Sequence, residues 1–226
     1  MGLRLGDEAP NFKAETTQGE VEFHTWKEGA WAILFSHPED FTPVCTTELG
    51  AVARLRTEWQ TRNVKVIGLS CNDLSSHGQW ISDINTTQVL FSSNLQGCQV
   101  DFPIIADADR KVATLYDMLD YQDPSNVDKS GLPLTVRSVF IIDPANKIRL
   151  IMTYPAVTGR NFNEILRTID SLQLGDRRKV ATPADWTGKG DEVIIHNGVS
   201  NEEAARLFPG FKTVLPYLRT TKLDDR

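Results

Sequence analysis

The sequence predicts an α/β domain built on a parallel sheet with crossover helices, followed by a small C-terminal appendage. Three observations predict it. Two continuous apolar runs, Ala30 to Ser36 and Val64 to Ser70, have the unbroken hydrophobicity of strands covered on both faces. Between them, Leu49, Val52, Ala53, Leu55 and Trp59 fit one face of a helix. At 226 residues the chain has room for one large domain, or one domain and a small addition.

The elements follow in order. Asp7-Glu8-Ala9-Pro10 opens the chain, and Gln18-Gly19 marks a hairpin. After the first buried strand, His37 to Pro43 is a turn with two prolines, and a helix runs from Pro43 to Arg62 with Asn63 at its end. The second buried strand leads into a helix over Leu74 to Asn85, so the first part reads βαβα, the mark of a parallel sheet. Phe102 to Ala106 is a short strand, Asp109 to Tyr116 a short helix and Gln122 to Leu134 a polar surface loop. Arg137 to Ile142 and Lys147 to Thr153 flank Asp143-Pro144-Ala145-Asn146, the pattern of a hairpin. Asn161 to Leu174 is a helix with Asn161 as N-cap and Glu164 placed for a capping box. Composition changes at Gly175-Asp176-Arg177-Arg178-Lys179, which sets the boundary between a domain of residues 1–174 and an appendage of 175–226. In the appendage the one apolar run is Val193 to Ile195.

Composition excludes several classes. The chain is 40% hydrophobic and 24% charged, as globular domains are. A net charge of -6 argues against nucleic acid and against anionic membranes, and no apolar run is long enough to span a bilayer. The first residues show no basic stretch followed by an apolar one, so a cytoplasmic protein is expected and the sequon Asn85-Thr86-Thr87 is read as accidental. The three cysteines, 45, 71 and 98, are too few and too widely spaced for a disulfide framework or a zinc knuckle. They fit a reducing compartment.

One cysteine stands apart. Thr42 suits an N-cap and Pro43 the first helical position, which puts Cys45 at N3. There its sulfur lies near unpaired backbone N–H groups and the positive end of the helix dipole, and both favour the nucleophilic thiolate. Cys71 ends an apolar strand and reads as a buried hydrophobe, while Cys98 lies in a polar stretch with nothing beside it to activate it. On local physics alone, Cys45 is as well explained by packing as by reactivity.

The wider segment decides between them. Phe35-Ser36-His37-Pro38-x-Asp40-Phe41-Thr42-Pro43-Val44-Cys45-Thr46-Thr47-Glu48-Leu49 resembles the peroxidatic motif of the peroxiredoxins. The flanking His37 and the long C-terminal segment resemble the one-cysteine, peroxiredoxin 6-like branch. The likeness covers nearly the whole chain: Leu5-Gly6-Asp7-x-x-Pro10-Asn11-Phe12, Gly68-Leu69-Ser70-Cys71-Asn72 with His77-x-x-Trp80, Leu132-Pro133-Leu134-Thr135-x-Arg137, Tyr154-Pro155-Ala156-x-Thr158-Gly159-Arg160-Asn161 and Val180-Ala181-Thr182-Pro183-x-x-Trp186 all follow in order.

The resemblance implies a thioredoxin-like fold with a small C-terminal extension, a homodimer in which that extension reaches the partner, and a peroxidase needing neither cofactor nor metal. It implies Cys45 as peroxidatic nucleophile, Thr42 as a donor to thiolate and peroxide, Arg137 as activator of the thiolate, Pro38 as a shield from water, His37 and Arg160 as pocket walls, and Glu48 as the group orienting the arginine. No cysteine follows position 98, so the two-cysteine route of resolution is closed and an external thiol, glutathione or a redoxin, is the expected reductant. Some members of the branch also hydrolyse phospholipid through Ser, His and Asp. Here Ala30 and Ala145 stand where the serine and aspartate would be, and only His24 remains, so no serine-dependent lipase activity is expected. A chaperone or signalling role for an overoxidised form is the non-enzymatic alternative.

Overall fold

The structure, a computed structural model, describes residues 2–91, 99–188 and 190–223. It divides into two compact units, Met1–Phe162 and Asn163–Arg226. The division falls ahead of the composition break at 174/175, because the long helix α6 (Phe162–Arg177) continues past that break and supplies Leu174 to the core of the second unit.

The first unit contains β1 (Lys13–Thr16), β2 (Gly19–Glu22), α1 (Phe23–Lys27), β3 (Trp31–Ser36), α2 (Pro43–Arg54), α3 (Arg56–Thr61), β4 (Val64–Ser70), α4 (Leu74–Phe91), β5 (Ile104–Ala106), α5 (Lys111–Leu115), β6 (Arg137–Ile142) and β7 (Ile148–Tyr154). They form a seven-stranded sheet in the order β2-β1-β5-β4-β3-β6-β7. The βαβ reading holds at its centre, where β3, β4 and β5 are parallel; the hairpins β1/β2 and β6/β7 join antiparallel on either side. All six residues of β3 are buried, as the unbroken apolar run requires of a central strand. Gly68 pairs with Phe35 across β3 and β4, and a Cβ there would come within 3.3 Å of the Phe35 ring.

The helix expected over Pro43 to Arg62 is two helices broken at Leu55. The Trp59 indole donates to the Val52 carbonyl at 3.0 Å, and the Leu55 N–H turns to the same carbonyl at 3.2 Å, so the α-helical ladder is interrupted there. Asn63 follows α3 in the left-handed conformation at φ 53°, as expected of a residue that ends a helix. The helix begun at Leu74 runs to Phe91, longer than its pattern predicts. The short helix α5 starts after left-handed Arg110 and is held by the Asp107 carboxylate, which accepts from the N–H groups of Val112 and Ala113. The expected loop at 122–134 is fastened by Arg110, which donates to the Pro133 carbonyl and to Asp128.

The second unit contains most of α6, then β8 (Val180–Ala181), β9 (Glu192–Ile195), α7 (Asn201–Leu207), β10 (Lys212–Leu215) and β11 (Leu218–Lys222). Its four-stranded sheet runs β10-β11-β9-β8 around a core that includes Val180, Trp186, Val193, Ile195 and Phe208. Of these strands only β9 carries an apolar run long enough to announce itself in the sequence. Cys98 lies outside the described residues. Among the described residues no helix is long and apolar enough to cross a membrane.

Candidate active site

The site forms where β3 ends and α2 begins, at the carboxyl ends of the parallel strands. Pro43 occupies N1 of α2, and Cys45 sits in the first turn, fully buried. Thr42 has the extended backbone of an N-cap but its hydroxyl does not cap; it donates to the Glu39 carbonyl at 2.8 Å. The first-turn N–H groups of α2 therefore receive no side-chain cap from Thr42. Phe41, just before, is held left-handed at φ 55°, an unusual conformation for an aromatic residue and the kind of local strain that collects at functional sites.

Arg137 begins β6, which pairs with β3, and so its side chain reaches α2 from the neighbouring strand. Its Nη1 donates to Cys45 Sγ at 3.3 Å and to Glu48 Oε2 at 2.8 Å, while Nε and Nη2 both donate to the Ala156 carbonyl. Glu48 stands one turn beyond Cys45 on α2 and is 3% exposed. It also takes the whole fork of Arg160: Nε at 2.9 Å and the backbone N–H at 2.7 Å on Oε1, and Nη2 at 2.8 Å on Oε2. The remaining Arg160 donor, Nη1, goes to the Ser138 carbonyl at 2.9 Å. Burial alone would raise the Glu48 carboxyl, but the guanidiniums, Arg160 foremost, outweigh it and hold it below its ordinary value. One buried carboxylate thus orients two arginines, and one of them lays a fixed positive charge against the sulfur. A thiolate attacking a polarised bond needs that kind of donor, because guanidinium stays charged throughout.

Behind this layer lies a second one, in which Asp40, His77 and Trp80 were given no role by sequence reasoning. His37 and Pro38 follow β3 and are buried. His37 Nε2 lies 2.8 Å from Asp40 Oδ1, and Asp40 Oδ2 lies 2.7 Å from Nδ1 of His77 on α4. Burial pushes the His37 pKa down, and Asp40 only partly offsets it. Asp40 is held far below the ordinary carboxylate range, since hydrogen bonds from both histidines overcome its burial. Trp80, one turn after His77, packs against His37 with ring centroids 5.1 Å apart and planes tilted by 40°, and donates its indole N–H to Thr46 Oγ1 in α2. Asp40, His77 and Trp80 all belong to the recognised motifs; the i,i+3 spacing of His37 and Asp40 was the one local signal that joined any of them.

Of the residues expected in the site, Cys45, Arg137, Glu48 and Arg160 are joined directly by hydrogen bonds. His37 lies close enough to Arg160 to feel its charge. Thr42 and Pro38 border the site without a hydrogen bond to the sulfur. His37, Asp40 and His77 are also the group that could hold a metal ion. Their contacts of 2.7–2.8 Å are those of shared protons. Ligand atoms around a tetrahedral zinc would stand roughly 3.3 Å apart. A groove lined by Trp26, Arg56, Trp59 and Lys65 opens at the start of β4, the end of that strand remote from the site, and none of the site residues lines it.

Residues 5–151 match the AhpC/TSA family, and residues 171–210 match the C-terminal domain of 1-Cys peroxiredoxin. The chain is 51% identical over 220 residues to mitochondrial peroxiredoxin PRX1 of Saccharomyces cerevisiae, covering 97% of this chain and 81% of that protein. It is 51% identical over 226 residues to peroxiredoxin-6 of Gallus gallus, covering 97% of each. Among solved structures, a cysteine-to-serine variant of peroxiredoxin 6 from Arenicola marina aligns with a TM-score of 0.89 at 46% identity, over 98% of both chains. The yeast mitochondrial 1-Cys peroxiredoxin, described with thiol resolution through glutathione/thioredoxin systems, aligns with a TM-score of 0.85 at 50% identity, over 98% of this chain and 100% of that one.

Proposed function

The chain belongs to the AhpC/TSA family, in its 1-Cys peroxiredoxin branch, and from that premise we propose that Cys45 is the nucleophile of its thiol-dependent peroxidase activity. The fold is thioredoxin-like with a C-terminal domain, and the enzyme is an oxidoreductase. The observation that carries the assignment of Cys45 is its Sγ set 3.3 Å from Arg137 Nη1, on an arginine braced by Glu48.

The thiolate of Cys45 attacks one oxygen of a hydroperoxide. The S–O bond forms as the O–O bond breaks, sulfur gives up two electrons, and the departing oxygen takes a proton to leave as water or alcohol. Arg137 stabilises the negative charge that moves onto the oxygens, Arg160 and Glu48 keep it in place, His37 and Pro38 wall the pocket from water, and Thr42 contributes its hydroxyl oxygen at the mouth. The sulfenic acid then condenses with an external thiol, releasing water and leaving a mixed disulfide; a second thiol attacks the outer sulfur, so that Cys45 leaves as the thiolate and the two external thiols depart as a disulfide. Glutathione or a redoxin fills that role; the yeast relative with glutathione/thioredoxin resolution supports it. Burial pushes the Cys71 thiol up to about 12, which makes it a poor internal resolving group.

The protein acts as a homodimer in this reading. Val214 and Leu215, at the end of β10, and Tyr217, in the turn to β11, are exposed apolar residues of the C-terminal unit suited to a second copy of the chain. A cytoplasmic site is supported by the sparse cysteines, with the mitochondrion, named for the yeast relative, as the alternative that cell fractionation decides.

The deciding experiment is stopped-flow oxidation of the reduced protein by hydrogen peroxide, wild type beside Cys45→Ser. Rapid single-turnover oxidation that disappears in the variant is expected. Equal, slow oxidation of both proteins would refute the assignment.

A further inference from the structure

We propose that His77 is a positioning residue of the Cys45 site: a doubly protonated imidazole, paired with buried Asp40, that locks His37 in its Nε2–H tautomer and keeps the His37 Nδ1 lone pair unoccupied. What that lone pair serves rests on the peroxidase reading; the protonation pattern does not.

The pattern follows from counting donors and acceptors. Both ring nitrogens of His77 face groups that only accept: Nε2 lies 3.1 Å from the Ile105 carbonyl, and Nδ1 lies 2.7 Å from Asp40 Oδ2. Each nitrogen must carry a proton for both bonds to exist. Asp40 is the ionised partner, since donors converge on it from His37, His77 and Ser76, whose Oγ is 2.8 Å from Oδ2. A carboxylate with a fully buried side chain needs a counter-charge. Among the described residues, no lysine or arginine forms an ion pair with it; its partners are the two histidines.

His37 cannot be that counter-charge. Its Nδ1 is buried without a hydrogen-bond partner, so a proton there would be an unsatisfied buried donor on a cation. The Arg160 guanidinium nearby opposes a second positive charge. The cation is therefore His77. Asp40 then fixes Nε2–H on His37, and Nδ1 is left as a bare acceptor. A buried carboxylate that sets the tautomer of an imidazole is a known way of readying that ring for proton handling. Trp80 packs against His37 with its ring tilted by 40°, which restricts the imidazole's rotation. An acceptor on a ring close enough to feel the Arg160 charge is one that could take a hydrogen bond from an entering O–H group.

Side-chain 15N NMR of the reduced full chain at pH 7 tests this, and only four histidines need assignment. The expected spectrum shows both His77 nitrogens protonated and His37 with Nε2–H and unprotonated Nδ1. In His77→Phe, His37 is expected to become a tautomer mixture, and peroxide oxidation of Cys45 to slow about tenfold. His77→Asn, whose amide can still donate to Asp40 but carries no charge, is expected to leave both defects in place. A singly protonated His77 in the wild type overturns the inference, and so does a His37 tautomer unchanged in His77→Phe. If His77→Phe does not fold, the wild-type spectrum decides alone. A wild-type Cys45 that fails to react would overturn the positioning role and the peroxidase reading together. A reactive Cys45 beside a singly protonated His77 would overturn the inference alone.

Discussion

Arg137 reaches from the first position of β6 to place Nη1 3.3 Å from the sulfur of Cys45, 92 residues earlier in the chain. The same nitrogen is held at 2.8 Å by Glu48 Oε2, and the other two donors close on one carbonyl. The guanidinium is pinned before any substrate arrives, so it pays little reorganisation when charge develops.

Arg137→Gln is accordingly expected to slow peroxide oxidation of Cys45 on the order of 10²–10³-fold, as loss of one preorganised donor does elsewhere. Arg137→Lys keeps a charge but loses the fork that spans Glu48, Cys45 and Ala156, and most of the defect is expected to remain. Stopped-flow kinetics reads both. Wild-type rates in the glutamine variant would remove Arg137 from the chemistry.

Glu48 is a structural keystone as well as an orienting group. Glu48→Gln leaves two buried guanidiniums without their counter-charge, a change expected to cost about 3 kcal/mol or more. For a chain of this length the Tm should fall by roughly 6–12 °C. Calorimetry of the variant checks it, and an unchanged Tm would mean the arginines find other partners.

The acid limb of stability follows from the same groups. Glu48 and Asp40 have folded pKa values below their ordinary 4.5 and 3.8, so between those values and the folded ones the unfolded chain binds more protons. Their contribution is complete above about pH 4.5 and is lost as pH falls through the folded values. His37, kept neutral by burial, adds a loss that begins as pH drops below its ordinary 6.5. Asp107, raised by burial, works in the opposite sense near pH 4. Urea unfolding between pH 7 and pH 3 should show stability declining with pH, and Glu48→Gln should show a shallower slope below pH 4.5. Parallel slopes would contradict the assignment.

Cys71, at about 12, stays a thiol at neutral pH. Native alkylation by iodoacetamide at pH 8, read by peptide mass spectrometry, should spare it until the chain is denatured. The same digest of peroxide-treated protein should contain no Cys45–Cys71 disulfide. Rapid native labelling of Cys71 would reopen it as a resolving group.

Local chemistry was enough to read much of this protein from its sequence. The apolar run before Ser36, the proline at N1 and the spacing to Cys45 placed a buried strand, a turn and a cysteine in the first turn of a helix. Asp143 to Asn146 marked its hairpin. Those features live within a few residues of one another, where backbone preference and hydrophobic period act. The break at Leu55 did not show, because an indole N–H from Trp59 competes for a carbonyl only once the helix is packed. The strands β8, β10 and β11 did not show either: β8 is only two residues long, β10 has a single pair of apolar residues, and β11 is mostly polar. Motifs alone could set Glu48 beside Arg137 as an expectation, but tertiary structure decided that one carboxylate serves both Arg137 and Arg160, the second lying 112 residues away. It also decided that Asp40 joins His37 to His77 across 37 residues. Those contacts depend on which strands lie side by side and in what register, and pairing of that kind is settled by burial over the whole sheet, which no local pattern encodes.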